Sequence, residues 1–243
     1  MHRRSLRVLP ALVAAGLAAS ASAGASDCHP ALDKAKPQYM IGYGSLMEKA
    51  SKQRTAPNTG ANLPVLVTGF QRSWNARRSD VGFSTTYLGV QAKTDAEMVA
   101  VLYQNFSADD IAATDDHEAY YCRDAVDPGA VKMLDRSSVP AEGQIWIYVN
   151  KPDAVHLPNA RWPIVQSYVD IFVTGCFQKK EKVLGWNRDF AEACIETTDG
   201  WSTHWVNDRL YPRRPFIYQP NASAIDKLLQ KLLPEEFKAI RIE

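Results

Sequence analysis

The sequence predicts an α+β fold, a mixed sheet or small barrel flanked by helices, and three observations lead there. Between Gln38 and Val149, segments rich in Val, Ile, Tyr, Phe and Thr recur with Gly, Asn, Ser and Asp between them, the signature of strands joined by short turns. After Pro163 the apolar spacing changes to that of helices. Neither an internal repeat nor a long linker separates the two regions, so strands and helices are expected to share one core. With 243 residues, 46% of them apolar and 10% aromatic, the chain has enough material to bury such a core as a single domain.

In chain order, the first strand is expected at Gln38 to Tyr43, where apolar residues run into a glycine turn. Further strands are predicted at Val65 to Trp74, Val81 to Val90, Met98 to Phe106, Tyr121 to Val126 and Gln144 to Val149. A short helix should start at Ser107, whose hydroxyl caps it while Asp109 and Asp110 complement its positive end, and run toward Asp116. Pro163 suits a first helical position; Ile164, Tyr168, Ile171 and Phe172 then share a face before Gly175 stops that helix. A helix over Asn187 to Thr198 should end at Gly200. The last should run from a cap at Asn221 through Ile225, Leu228, Leu229 and Leu232 to Pro234.

The N-terminus reads as an export signal. Arg3, Arg4 and Arg7 precede an apolar stretch from Val8 to Ala18 and the small-residue run Ala21-Ser22-Ala23, so cleavage is expected after Ala23 or Ala25. The expected organisation is a signal peptide over 1–25, an N-terminal arm over 26–37, a main domain over 38–180 and a packed helical extension over 181–243. The mature protein is then expected in the periplasm or outside the cell. That stretch is shorter than a bilayer span and no later segment is apolar enough to cross a membrane, so no membrane association is expected after processing. The net charge of +1 rests on those three arginines and leaves no basic face for nucleic acid. Four cysteines, Cys28, Cys122, Cys176 and Cys194, invite two disulfides in an oxidising compartment. Sequence leaves all three pairings open, with a preference for Cys176 with Cys194 because both fall on adjacent predicted helices.

Two clusters hold the chemistry. Tyr43-Gly44-Ser45-Leu46 follows the first strand, where a glycine lets backbone N–H groups come close to a ligand. Asp115-Asp116-His117-Glu118-Ala119-Tyr120-Tyr121-Cys122-Arg123 packs carboxylates, an imidazole, phenols, a thiol and a guanidinium into nine positions, and its aromatic pair argues that the carboxylates border a pocket. In order and surroundings, the two clusters resemble the gamma-glutamylcyclotransferase family. A first strand leads into a Tyr-Gly-Ser loop; an Asp-x-x-Glu segment, here Asp115 and Glu118, is followed by Tyr121 and Arg123. Gly69-Phe70-Gln71-Arg72 is similar to the family's Gly-Phe-x-Arg strand, and Gln166-Ser167-Tyr168 with Gly175-Cys176 is similar to its later helix. The resemblance covers roughly residues 38 to 178. His117 and Ala119 depart from the glutathione-specific branch, so the preference of that branch is not carried over.

The resemblance implies release of 5-oxoproline from a small gamma-glutamyl substrate by intramolecular cyclisation. Glu118 would be the acid/base; Tyr43, Gly44, Ser45 and Leu46 would cradle the glutamyl group; Tyr121 would donate a hydrogen bond and Arg123 would bind a carboxylate. This chemistry requires no metal and no organic cofactor. The leaving group stays open among glutathione, a gamma-glutamyl amino acid and a gamma-glutamyl amine. Two other readings use the same residues. One is a binding module with the same fold and no catalysis; the other makes Cys122 a nucleophile with His117 as its base. A metal at Asp115, Asp116 and His117 is disfavoured because adjacent ligands seldom point at one ion.

Overall fold

The computed structural model describes residues 28–77, 84–118, 121–183, 187–214 and 221–243. The expected signal peptide and its expected cleavage sites lie outside the described residues. The chain runs β1 (Gln38–Gly42), a 3-10 turn (Ser45–Met47), α1 (Lys49–Thr55), β2 (Leu63–Arg77), β3 (Thr86–Asn105), α2 (Ala108–His117), β4 (Tyr121–Ala125), β5 (Val131–Met133) and β6 (Gln144–Asn150). There follow β7 (Ile164–Val165), α3 (Gln166–Phe177), β8 (Lys182–Val183), β9 (Arg188–Asp189), α4 (Phe190–Glu196), β10 (Thr198–Asp199), β11 (Trp205–Asn207), α5 (Ala222–Leu232), α6 (Pro234–Lys238) and β12 (Arg241–Ile242).

The main sheet has the order β10-β2-β3-β1-β6-β4, with β5 on the outer side of β2. It is mixed: β1 is antiparallel to β3 and parallel to β6. Among the described residues the sheet stays open, so the architecture is the expected mixed sheet with helices and not a closed barrel. Alternation along the strands sends Met40, Leu66, Val99, Val101, Tyr103, Trp146 and Tyr148 to one face, where α3, α4 and α5 cover them. Ile41, Val65, Val67, Met98, Ala100, Leu102, Ile145 and Ile147 form a second core on the other face. All the aromatic side chains among these named strand residues point to the helical face.

Several expected boundaries move for physical reasons. Residues 81–83 lie outside the described segments; the two strands predicted at Val81 to Val90 and Met98 to Phe106 are joined as the single strand β3, Thr86–Asn105. Its exposed middle stays in the ladder except where Lys93 to Ala96 stand opposite Gly69, which takes φ +83°. The helix expected from Pro163 begins at Gln166, because Ile164 and Val165 are drawn out as a strand against Trp205 and Val206. Gly175 does not stop it. The helix continues to Phe177, and Gly175 is needed because a Cβ there would lie 2.5 Å from the Met47 carbonyl carbon. The next helix is shorter than expected, Phe190–Glu196, since Asn187 adopts φ 49° and Arg188–Asp189 pair with Lys182–Val183. Asn221 occupies the cap position of α5 without a side-chain cap hydrogen bond, and Pro234 opens α6 after ending α5.

The segment expected as a helical extension contains strands as well. Thr198–Asp199 join the main sheet beside Arg72 and Ser73 of β2, while α4 and α5 pack on α3. Among the described residues no helix is long and apolar enough to cross a membrane.

Both disulfides form: Cys176 joins Cys194, tying α3 to α4, and Cys28 joins Cys122. The second pins the N-terminal arm along the open edge of β4, where the Arg123 N–H donates to the Cys28 carbonyl at 2.8 Å. Its sequence separation of 94, against 18 for Cys176 and Cys194, means that it restricts the unfolded chain more. Replacing Cys28 and Cys122 by Ser should therefore cost about 4 to 5 kcal/mol, and replacing Cys176 and Cys194 about 3 kcal/mol. Denaturant unfolding of the two double variants measures this; a larger loss at Cys176 and Cys194 would contradict the chain-entropy account.

Candidate active site

On the helical face of the sheet, next to the turn that follows β1, lies a cavity of about 370 Å³. Its wall includes Tyr43, Gly44, Ser45 and Leu46 from that turn, Glu118 and Tyr121 from the junction of α2 and β4, Tyr103 and Tyr148 from the sheet, Tyr168 from α3, and Arg214. Six of the seven residues singled out in the sequence thus share one space, and the carboxylate of Glu118 shares it with the glycine turn.

Glu118 stands at the C-terminus of α2, which Ser107 starts by accepting a hydrogen bond from the Asp109 N–H. The Glu118 N–H donates to the Thr114 carbonyl at 2.7 Å, and its own carbonyl accepts from Tyr121 at 2.8 Å. Helix therefore passes into strand at this residue, leaving its half-buried side chain on the cavity wall. Ala119 and Tyr120 lie outside the described residues, as does the side chain of His117.

Asp115 fixes this junction. One helical turn before Glu118, its carboxylate accepts from Arg123 Nε at 2.9 Å and Nη2 at 3.0 Å, and from the Tyr148 hydroxyl at 2.7 Å. Arg123 also donates to the Pro30 carbonyl and lies over the Trp146 ring. It is buried, 1% exposed, and is not part of the cavity wall. This corrects the expectation that Arg123 binds a substrate carboxylate: its charge is committed to Asp115, where it anchors α2 to β4. The thiol reading is corrected too. Cys122 is in a disulfide and cannot act as a nucleophile.

Gly44 owes its identity to a close approach. A Cβ there would lie 2.7 Å from the Tyr168 hydroxyl, which is hydrogen-bonded to the Ser45 backbone. Tyr168 has little room to retreat, since its ring meets Trp74 and Tyr87 edge-on at 5.8 and 5.1 Å between centroids. Arg72 holds the turn from beneath by donating to the Tyr43 carbonyl at 3.3 Å.

The phenols give the cavity its electrostatic character. Burial pushes Tyr168 up to about 12, with the Arg214 charge opposing and Tyr87 adding to the rise. Burial also raises Tyr43, Tyr103 and Tyr148, and the negative charge of Glu118 adds to the rise in all three. Four hydroxyls around one carboxylate therefore remain protonated donors across the neutral range. Among the described residues no group of three His, Cys, Asp or Glu side chains is arranged to hold a metal.

Tyr103, Tyr148 and Tyr87 carry no motif in the sequence, Arg214 belongs there to a C-terminal segment without a counterpart in the resemblance, and Tyr168 appears only within a helix motif. For the strand tyrosines a signal existed: Tyr148 shares the two-residue alternation with Trp146. No comparable signal marked Arg214, because only the folded path of the C-terminal segment brings it to the cavity.

Gly44→Ala should destabilise the protein by about 1 to 3 kcal/mol through overpacking. Tyr168→Phe, which removes the obstructing oxygen, should recover part of that loss in the double variant; strictly additive melting shifts would disprove the contact. A second expectation concerns alkaline stability. The unfolded chain releases phenolic protons near pH 10, whereas the fold keeps them to higher pH, so stability is intact below 10 and declines as pH rises through about 12. Thermal unfolding between pH 9 and 12 should show this slope, and Tyr168→Phe should flatten it.

No family model and no curated protein matches the sequence. Solved structures do. A gamma-glutamyl cyclotransferase aligns with a TM-score of 0.50 at 12% identity, over 79% of this chain and 99% of that one. An uncharacterized human protein aligns at 0.49 and 13% identity, over 65% and 86% of the two chains. A yeast gamma-glutamyl cyclotransferase specific to glutathione aligns at 0.38 and 12% identity, over 81% and 97%. The chain, a mixed sheet flanked by helices, therefore has the gamma-glutamyl cyclotransferase fold.

Proposed function

We propose that the cavity binds a gamma-glutamyl compound and closes its glutamyl group into 5-oxoproline, with Glu118 moving the protons. The observation that supports this most is the pairing, across one small cavity, of a half-buried carboxylate with a glycine turn ringed by protonated phenols. A space of about 370 Å³ suits a small molecule.

Such a substrate carries both reactants. Its α-nitrogen attacks the δ-carbonyl carbon; the new C–N bond closes a five-membered ring, and the old C–N bond to the departing amine breaks. The α-ammonium gives up two protons in becoming the lactam N–H, and the departing nitrogen gains two in leaving as an ammonium. Glu118 carries the two protons one at a time, each time accepting one from the attacking nitrogen and giving it to the departing nitrogen, so the carboxylate is regenerated after each transfer. The enzyme's remaining task is to fold the chain so that nitrogen and carbonyl meet. No enzyme nucleophile, metal or cofactor is required.

The tetrahedral intermediate places negative charge on the former carbonyl oxygen. Tyr43 and Tyr121 line the cavity at the turn and are suited to donate to that oxygen, beside the N–H groups of Gly44 and Leu46. The Ser45 backbone is already engaged by Tyr168, which makes it a support for the turn. We also propose that the protein works after export, in the periplasm or outside the cell; two disulfides suit an oxidising compartment.

Glu118→Gln keeps the size of the side chain and removes its ability to take a proton. Turnover of gamma-glutamyl amino acids, gamma-glutamyl amines or glutathione, followed as 5-oxoproline by mass, should fall by about 10² to 10⁴-fold. Binding should persist. A variant that turns over normally would end the proposal, and a parent protein that binds these compounds without forming 5-oxoproline would be a binding module.

A further inference from the structure

The C-terminal segment does more than cover the core. Asp208, 1% exposed, accepts from the Ser167 N–H and from the Ser167 hydroxyl, each at 2.7 Å, so it serves the first turn of α3 from outside the helix. The same carboxylate accepts from the Arg213 N–H at 2.7 Å, and Ser167 Oγ accepts from the Arg214 N–H at 3.0 Å. Four hydrogen bonds thus fix the chain at Arg213 and Arg214 against the residue that precedes Tyr168.

The three arginines of this stretch have different surroundings. Arg209 is held by Asp170 and Asp226 through contacts of 2.7 to 2.8 Å. Arg213 donates to the Ser84 carbonyl at 2.7 Å and pairs with Glu243. The Arg214 guanidinium, half-buried on the cavity wall, lies 5.8 and 5.9 Å from the ring centroids of Tyr87 and Tyr168 and has no carboxylate partner among the described residues. Packing on two aromatic faces holds the guanidinium plane while leaving its N–H fork available.

We infer that Arg214 is a specificity-determining residue that binds a carboxylate of the substrate inside the cavity. The cavity then offers an anion, Glu118, and a cation, Arg214, which together complement a zwitterion bearing an ammonium and a carboxylate. Two carboxylates of a gamma-glutamyl amino acid have the right chemistry: the one on the glutamyl head and the one on the departing amino acid. The inference deepens the proposed function and rests on it for the identity of the ligand, but not for the carboxylate subsite itself.

The test is binding, measured by calorimetry or NMR titration on Glu118→Gln protein with and without Arg214→Gln. The ligands are a gamma-glutamyl amino acid, a gamma-glutamyl alkylamine that keeps only the head carboxylate, and glutarate with its diamide. Arg214→Gln retains the backbone N–H to Ser167 and should melt with the parent. It should weaken the gamma-glutamyl amino acid by on the order of 10 to 100-fold, with Arg214→Lys in between. An equal loss for the alkylamine assigns Arg214 to the head carboxylate; an unchanged alkylamine assigns it to the departing group. If no gamma-glutamyl compound binds but glutarate binds through Arg214, the proposed function fails and the subsite stands. Unchanged affinity for every carboxylate, or equal losses for glutarate and its diamide, would overturn the inference.

Discussion

A guanidinium buried with no carboxylate partner among the described residues organises this protein. Arg72 is fully enclosed, and its donors go to neutral oxygens: Thr198 Oγ1, the Val99 and Tyr43 carbonyls, the Cys194 carbonyl and Thr197 Oγ1. The Phe172 ring covers its face. Burial pulls its pKa down to about 9, so it stays charged at neutral pH. A buried charge without these oxygens would cost several kcal/mol, and they come from the turn after β1, from β3, from the end of α4 and from β10. Only an arrangement that brings these four regions together satisfies it. The Cys176–Cys194 disulfide reinforces that arrangement, since it fixes the residue whose carbonyl Arg72 uses.

The cavity lies between this anchor and a second one. Arg72 sets the glycine turn through the Tyr43 carbonyl, whereas Asp115, Arg123 and Tyr148 set the helix end that presents Glu118. Both anchors belong to the main sheet, one on β2 and the other on β4 and β6, so the separation of turn and carboxylate is set by sheet geometry and not by loops. Positioning of this kind would serve the proposed cyclisation, in which the reacting atoms are already joined and only their approach has to be controlled.

Much of this was legible in the sequence where local rules decide. Gln38 to Gly42, Ser107 with α2, and Gln144 to Val149 follow from alternation and capping, and the glycine turn with Asp115 and Glu118 follows from a motif. Reading failed where a distant partner overrides a local preference. Ile164 and Val165 look like the start of an apolar helix, but pairing with Trp205 and Val206 extends them. Gly175 looks like a stop, although its lack of a side chain serves the approach of Met47. Arg123 followed the motif and still had the wrong role assigned, because a spacing rule says which residues recur and not whether a charge faces a cavity or a buried carboxylate. Arg72 falls within a strand motif, and nothing in the motif reveals that three of its acceptors come from residues 194 to 198.

Those partners bear on how the chain divides. The boundary expected near residue 180 marks the end of the family resemblance, yet the contacts of a buried charge run across it. Without Cys194, Thr197 and Thr198, the Arg72 guanidinium would lose three of its acceptors while remaining buried. Without Asp208, the first turn of α3 would lose its acceptor, and with it the support next to Tyr168. Tyr168 in turn stands against Gly44 and binds the Ser45 backbone. The last sixty or so residues are therefore not an appendage to a finished domain: they complete the core beneath the turn and supply a charged wall to the cavity above it.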